Sequence, residues 1–250
     1  MKIFSVSALL IPLIVILALE TAIAQDGTLQ VDNPGLQSFD DFLLERGIDL
    51  STDSLVTALQ NRDPEVRSNA ALLLAQNQNV DAIAPIENAL SRDPSPNVRI
   101  AMAQALWGLH DAKGLTYLQG MCTDASLSIY DVVEVVQQLA LMGESGVTCI
   151  DPVLNYLHAE SNSTDRLQVV ISALPRLYRW GSSEQSARIV HILEDALQDK
   201  DGAVRMQASH GLAQIKSYSS IEILQKIVLK EKDDVVRASL QADLDALQAK

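Results

Sequence analysis

A motif recurs along this chain at intervals of a little over thirty residues. A short turn that contains Asp and ends in Val-Arg opens a helical pattern at residues 63–67, 93–99, 201–205 and 233–237, and a Leu stands eight residues after each of these valines. The same apolar frame recurs twice more without the Val-Arg pair. Six leucines therefore mark six repeats, with steps of 32, 33, 35, 38 and 32 residues: Leu74, Leu106, Leu139, Leu174, Leu212 and Leu244. A period of this length indicates an array of one supersecondary unit.

Each repeat contains two helical patterns. The first is a stripe of apolar residues spaced three and four apart, as in Ile189, Ile192 and Leu193. The second opens with an Asp that is expected to be the N-cap, and in the first repeat Pro64 takes the first helical position. One such helix pair cannot cover its own apolar stripe, so the repeats must stack. The sequence therefore predicts an all-α fold, an α-solenoid forming a right-handed superhelix of about six helix pairs, with units near residues 52–78, 80–110, 111–144, 146–181, 183–217 and 218–250.

A short helix is predicted ahead of the first repeat, over residues 38–46. Ser38 can cap it, Phe42 and Leu43 share one side with Phe39, and Gly47 can end it. A terminal helix of this kind covers the open end of an array.

The Asp and Arg residues that open the second helices resemble a functional cluster at first sight. Asp63 and Arg67 are four residues apart, as are the corresponding residues 201 and 205, and 233 and 237. On the first turn of a helix this spacing suits an N-cap carboxylate and an ion pair that braces the turn. We interpret these residues as structural, with each Arg packing its stem against the neighbouring unit and reaching back to an Asp.

These openings resemble HEAT repeats, in particular the short HEAT-like repeats of phycobilisome lyases. The resemblance rests on the Asp-Val-Arg openings and on alanines near the register leucine, such as Ala70, Ala105 and Ala208, and covers residues 52 to 250. It implies the solenoid fold and leaves the partner open. The lyases suggest an enzymatic alternative, a cofactor-handling or lyase-like protein. Deoxyhypusine hydroxylase, another HEAT-like enzyme, binds iron through His-Glu pairs, and this chain contains no His-Glu dipeptide.

The first 24 residues have the pattern of a signal peptide. Lys2 precedes an apolar run from Ile3 to Leu19, and residues 22–24 read Ala-Ile-Ala, a small-residue cleavage site. A retained membrane anchor is the alternative, although 17 apolar residues are at the short limit for a span. We expect residues 25–37 to be a flexible lead-in, residues 38–250 to form the array, and the mature protein to be periplasmic or secreted, without stable membrane insertion.

Two cysteines, Cys122 and Cys149, fall in an oxidising compartment if the chain is exported. In stacked first helices that keep a common register they would lie about eight residues apart along the axis, roughly 12 Å. A disulfide requires Cα atoms within about 7 Å. The spacing therefore favours two unpaired thiols, and an irregular third unit would reverse this.

The charge and the motifs of the chain restrict the classes of partner and of chemistry that it can have. With 19 basic and 32 acidic residues the formal net charge is −13, which disfavours nucleic acid as a partner. No Gly-rich phosphate loop, Ser elbow or Cys-x-x-Cys pair is present, and the four histidines lie in different units. We therefore expect no catalytic residues, no metal and no cofactor.

The remaining functional surface is the exposed side of the second helices, expected to line the concave side of the superhelix. Partner-binding candidates there are Gln76, Gln104, Gln137, Arg176, Gln207, His210 and Gln214. A plainer reading is that helix surfaces favour Gln by propensity. Trp107, Tyr178 and Trp180 are interpreted as packing residues rather than anchors. The sequence thus favours an extracytoplasmic HEAT-like scaffold that binds a protein or peptide and has no catalysis of its own.

Overall fold

A computed structural model describes residues 38–158 and 164–249 of the chain. The predicted signal peptide and lead-in, residues 1–37, lie outside this part. Within it the chain forms thirteen α-helices and no β-strand, as the repeat pattern predicted. The helices are α1 Phe39–Glu45, α2 Thr52–Ala58, α3 Pro64–Gln76, α4 Ile83–Leu90, α5 Pro96–Gly108, α6 Ala112–Met121, α7 Ile129–Leu141, α8 Ile150–His158, α9 Thr164–Tyr178, α10 Ser183–Ala196, α11 Gly202–Gln214, α12 Ile221–Lys230 and α13 Asp234–Gln248.

The helices α2 to α13 form six pairs, in which each first helix packs on its own second helix and the second helices stack on one another. Short 3-10 turns precede three of the first helices, α4, α8 and α12. The six register leucines lie on the second helices and are 0–5% exposed. Burial of a leucine side chain contributes about 1.5–3 kcal/mol, so this column is a main source of stability. The α-solenoid prediction is confirmed. None of the helices in the described segments is long and apolar enough to cross a bilayer.

The predicted capping helix is present as α1. The Ser38 hydroxyl accepts a hydrogen bond from the backbone N–H of Asp41, and Gly47 ends the helix with φ of +74°. Leu43 is fully buried, and α1 packs on α3. The helix therefore covers the first repeat, as terminal units of solenoids must.

The same hydrogen-bonding motif ends α1 and four of the second helices. The backbone N–H of Asn79 donates to the carbonyl oxygen of Leu74, five residues earlier, and Gln78 between them has a left-handed φ of +52°. This is a Schellman motif, which satisfies carbonyl groups at the helix end. It recurs after Leu43, Leu106, Leu139 and Leu212. Because Leu43 of α1 shares the motif, α1 corresponds to the second helix of an incomplete unit.

The third unit departs from the regular stack. A Cβ atom on Gly114 of α6 would meet the backbone oxygen of Ala103 and lie 2.8 Å from the backbone nitrogen of Trp107 on α5. Only glycine permits this approach of two helix backbones. As a result, α6 packs more closely on α5 than on its own partner α7, and α5 and α7 approach each other less closely than other neighbouring second helices do.

This irregularity explains why the expectation of two unpaired thiols is wrong. Cys122 and Cys149 form a disulfide, with Cα atoms 4.6 Å apart. Cys122 caps the end of α6, and Cys149 lies in the 3-10 turn before α8. The amide of Gln119 donates to the carbonyl oxygen of Ser145 at 3.1 Å, and the Thr148 hydroxyl donates to the carbonyl oxygen of Gln119 at 3.0 Å. The start of α8 therefore lies against the end of α6, so the assumption of a common register fails here.

The predicted Asp N-cap is confirmed on three of the second helices and is wrong for α5, whose N-cap is Ser95 rather than Asp93, and for α7, whose N-cap is Ser128. The ion pairs expected between an Asp and the Arg four residues later do not form. Asp63 accepts from the backbone N–H of Glu65, and the two corresponding residues, 201 and 233, act in the same way. Arg67, however, makes two hydrogen bonds to Asp93 in the next unit, at 2.6 and 3.0 Å. Arg205 similarly pairs with Glu231 at 2.6 Å. The reason is that the Arg side chain points towards the following unit, whose turn supplies the acid 26 residues later. Arg237, in the sixth unit, pairs with Asp234 of its own helix.

Candidate functional site

Each second helix presents one row of residues that the neighbouring helices leave accessible. The row contains the positions nine, five and two residues before the register leucine and two residues after it, a spacing that keeps side chains on one face of a helix. We call these rows together the second-helix stripe. Its described side chains are Glu65, Asn69, Leu72 and Gln76 on α3; Asn97, Ala101, Gln104 and Gly108 on α5; Tyr130, Glu134, Gln137 and Leu141 on α7; Val169, Ser172 and Arg176 on α9; Ala203, Gln207, His210 and Gln214 on α11; and Val235, Ser239, Ala242 and Ala246 on α13. All are exposed or half-buried except Ala101, which is 8% exposed.

All seven residues predicted to bind a partner lie on this stripe. They occupy five successive second helices: Gln76 on α3, Gln104 on α5, Gln137 on α7, Arg176 on α9, and Gln207, His210 and Gln214 on α11. The predicted set therefore shares one face of the array. Their role in binding stays a prediction. Residues that bind one partner must lie on one face, but lying on one face does not by itself show that they contact a partner.

Hydrogen bonds join the stripe to neighbouring helices at two places. The Gln104 amide on α5 donates to the amide oxygen of Gln138 on α7, and Nδ1 of His210 on α11 lies 3.4 Å from Oδ1 of Asp243 on α13. Gln214 Nε2 lies 3.0 Å from His210 Nε2. In both contacts, one second helix contributes the residue two positions before its register leucine, and the next second helix contributes the residue one position before its own register leucine. At the three other interfaces between second helices, the residue one position before the register leucine has a small side chain or none: Ala105, Ala173 and Gly211.

Not every predicted residue takes part in these contacts. In the part of the chain that the structure describes, no hydrogen bond joins Gln76, Gln137 or Gln207 to another stripe residue, and Arg176 donates to the carbonyl oxygen of Ser172 within its own helix. These polar side chains therefore keep hydrogen-bonding capacity at the surface.

Sequence reasoning missed several stripe residues on α7. Tyr130 and Leu141 are 42% and 59% exposed, and Glu134 is half-buried between them. Gln138, which receives the bond from Gln104, also donates through its amide to Glu134. The repeat spacing contained the signal, since Tyr130 and Glu134 stand nine and five residues before Leu139.

Three carboxylates with lowered pKa values stabilise turns. The Ser126 hydroxyl and backbone N–H hold the pKa of Asp124 below its ordinary value, and the backbone N–H of Lys113 does the same for Asp111. Glu231 also has a lowered pKa, chiefly because it accepts from the backbone N–H of Asp233 and secondarily because of Arg205. These hydrogen bonds favour the charged form. All three carboxylates lie in turns and none lies on the second-helix stripe.

The described residues contain no group of three or more His, Cys, Asp and Glu side chains placed to hold a metal ion. His191 is exposed and lies 3.7 Å from Asp195 on the same helix, an ordinary pair of surface residues. Tyr178 and Trp180 pack against the hydrophobic core, and Trp107 is half-buried. These observations agree with the interpretation of the aromatics as packing residues.

Several solved structures are similar to the chain over most of its length. An engineered protein from the Northeast Structural Genomics Consortium is 21% identical, with 79% of this chain and 96% of that chain covered and a TM-score of 0.42. A designed armadillo repeat protein is 19% identical over 79% and 100% of the two chains, with a TM-score of 0.43. The CpcE–CpcF complex of phycocyanin lyase from Nostoc sp. PCC7120 is 19% identical over 90% and 97%, with a TM-score of 0.38. No curated protein matches the sequence.

A family model described as HEAT repeats matches residues 52–145 and 150–244, which together make up well over half of the chain. The two matched segments contain the six register leucines and the six helix pairs except for the last residues of α13. The chain therefore belongs to the HEAT-repeat family.

Proposed function

We propose that this protein is an extracytoplasmic scaffold without catalysis of its own, and that it binds an extended segment of a partner protein along the second-helix stripe. The observation that carries the proposal is the continuity of the stripe. Six stacked helices repeat the same accessible positions, and Gln and other polar side chains with free hydrogen-bonding capacity recur along them.

The geometry suits an extended chain rather than a small molecule. Neighbouring packed helices lie about 8–10 Å apart, so six second helices span roughly 45 Å. An extended peptide advances about 3.3 Å per residue. A bound segment of roughly 14 residues would therefore cross the whole stripe and meet each unit about every third residue.

Export is proposed from the pattern of residues 1–24, a basic start, an apolar run and a small-residue site. The disulfide between Cys122 and Cys149 is compatible with an oxidising compartment. The formal net charge of −13 supports a protein partner over a nucleic acid.

The test compares two matched pairs of Gln substitutions. The stripe pair, Gln137→Arg with Gln214→Arg, introduces two bulky charges on the stripe. The control pair, Gln198→Arg with Gln225→Arg, makes the same chemical change at exposed positions off the stripe, at the end of α10 and on α12. Affinity-tagged versions are used to recover proteins from the extracytoplasmic fraction of the source cells.

We expect the wild type and the control pair to retain the same protein in constant ratio, and the stripe pair to lose it. Hydrogen exchange of that complex should slow on the second helices more than on the first helices. Equal recovery by both pairs would refute binding at the stripe. A visible chromophore or bound metal in the purified protein would instead favour the cofactor-handling alternative.

A further inference from the structure

We propose that the array bends at one interface in its third unit and that the disulfide between Cys122 and Cys149 prevents this bending. We call it the hinge interface: α5 and α6 lie on one side of it, and α7 and the start of α8 lie on the other. Reduction of the disulfide frees the N-terminal half, α1 to α6, to rotate against the C-terminal half, α7 to α13. The bending does not depend on what the stripe binds, so it goes beyond the proposed function.

The helices pack loosely across the hinge interface. α5 packs closely on α3, and α7 packs closely on α9, whereas α5 and α7 approach each other much less closely. α6 belongs to the N-terminal half, because Gly114 brings its backbone against α5 and α6 packs less closely on α7. Regions with little packing open at a lower free-energy cost than densely packed ones. In the described part of the chain, the hinge interface is therefore the weakest boundary between neighbouring second helices.

The turn between α6 and α7 also lacks an ion pair that other units have. In units 1 and 5, Nε of the helix-opening Arg donates to an acid 26 residues later, in the turn of the next unit: Arg67 to Asp93 and Arg205 to Glu231. The residue at this position for Arg99 is Ala125, and within the described residues Nε of Arg99 is buried with no hydrogen-bond partner. Nη1 of Arg99 donates to Tyr117 Oη on α6 at 3.3 Å, inside the N-terminal half.

The acid that this turn does contain is used within the turn itself. Asp124 accepts hydrogen bonds from the backbone N–H and the hydroxyl of Ser126, at 2.9 and 2.6 Å. A buried donor that is left without an acceptor is unfavourable, so the Arg99 side of the joint adds no compensating attraction. The turn that leads into α7 is therefore not tied to unit 2 in the way that its counterparts are tied to the units before them.

A cavity lies within the hinge interface. Its volume is about 230 Å³, it opens to the surface, and its walls come from the turn after α6, from Ile129 and Val132 of α7, and from Pro152 and Tyr156 of α8. Protein interiors contain few voids of this size, so the cavity is a second sign of loose packing here. Cys122 lines the cavity and is 2% exposed, whereas Cys149 is fully buried. An incoming thiolate therefore reaches the sulfur of Cys122 first.

The disulfide is the strongest connection across the hinge interface. The described side chains add hydrogen bonds across it: Gln104 to Gln138, Gln119 to Ser145, and Thr148 to Gln119. Such bonds are replaced by bonds to water when helices separate, so their net contribution is small. The sequence contains two cysteines, so their disulfide is the one covalent cross-link that the chain can form within itself.

A dithiol is the reductant that opens this cross-link. Its first thiolate attacks Sγ of Cys122, which forms a mixed disulfide and releases Cys149 as a thiolate. Its second thiolate then attacks the mixed disulfide and releases Cys122. The dithiol ends as a disulfide, and its two protons pass to the two cysteines.

The test measures distances across the hinge interface in the oxidised and the reduced full chain. Spin labels carried by p-acetylphenylalanine, which adds no cysteine, replace Asn88 on α4 and Gln198 at the end of α10, two exposed positions in different halves. Two control pairs of exposed positions each lie within one half: Asp53 with Thr116, and Asn155 with Gln225. Pulsed electron paramagnetic resonance is recorded before and after reduction with dithiothreitol, which is removed without admitting oxygen.

We expect reduction to shift or broaden the distance between the two halves and to leave both control distances unchanged. A rotation of about 15° moves a label two units from the hinge, roughly 20 Å away, by roughly 5 Å. Unchanged distances in all three pairs would overturn the proposal. Equal broadening of all three pairs would also overturn it, because the disulfide would then hold the whole fold rather than one hinge.

A substitution at Ala125 tests the missing ion pair. Ala125→Glu places an acid where the other units have one, so in the reduced protein it should bind Arg99 and narrow the distance distribution between the halves. Ala125→Gln has the same shape without the charge and should leave the distribution broad. Equal distributions in the two variants would overturn the role of the missing ion pair in the hinge.

Discussion

Gly114 provides a direct test of how the third unit is built. Alanine is the better helix former by about 1 kcal/mol, so a Gly→Ala change inside a helix is stabilising when space permits. At position 114 the new Cβ would meet the backbone oxygen of Ala103 and the backbone nitrogen of Trp107, neither of which can rotate away. Overpacking costs about 1–3 kcal/mol, and backbone contacts place this case at the upper end. Gly114→Ala should therefore lower the free energy of unfolding by about 2 kcal/mol.

Gly120 on the same helix is the matched control. A Cβ atom there has no neighbour within 4 Å, so Gly120→Ala should raise stability by about 0.5–1 kcal/mol. Both variants are compared by urea unfolding, monitored by far-ultraviolet circular dichroism with the disulfide intact. The reasoning requires opposite signs for the two substitutions. A Gly114→Ala protein as stable as the wild type would show that α6 does not depend on this close approach to α5.

Three further predictions concern the joints between units. Arg67→Met leaves a buried carboxylate without its partner and should cost about 3 kcal/mol in unfolding experiments, whereas Arg237→Met removes an exposed pair and should cost less than about 1 kcal/mol; equal losses would contradict the role of the inter-unit pair. The pKa of Glu231 is lowered, chiefly by a backbone hydrogen bond. The contribution of this carboxylate to the free energy of unfolding should therefore be complete near neutral pH and decline as the pH falls below about 4. Glu231→Gln should reduce this acid sensitivity when unfolding is measured as a function of pH. Reduction of the bond between Cys122 and Cys149, 27 residues apart, should lower stability by about 3.5 kcal/mol on the chain-entropy estimate, and a thermal midpoint that does not change with reductant would contradict it.

The regular part of the fold was accessible from the sequence because it depends on neighbours along the chain. A recurring Leu column, an Asp at the start of three second helices and a Gly after α1 are local signals, and each had the predicted outcome: buried leucines, N-cap hydrogen bonds and a capping helix. The same register placed seven candidate residues on one face. Helix periodicity is enough for such statements, since residues three and four apart share a side.

The irregular part could not be predicted in this way. The partner of Arg67 comes from the next unit, and nothing within the five-residue opening indicates that its acid is Asp93 rather than Asp63. The contact between Gln104 and Gln138 joins two different helices, so no pattern within one helix indicates it.

The amino-acid sequence alone determined that the chain is a stack of helix pairs, which leucines form its buried column, and which residues of five second helices share one accessible side. Tertiary structure alone decided which acid binds each Arg and that the two cysteines meet. The physical reason is distance: capping and amphipathic patterns act within a few residues, whereas the approach of α6 to α5 at Gly114 depends on how closely two backbones pack.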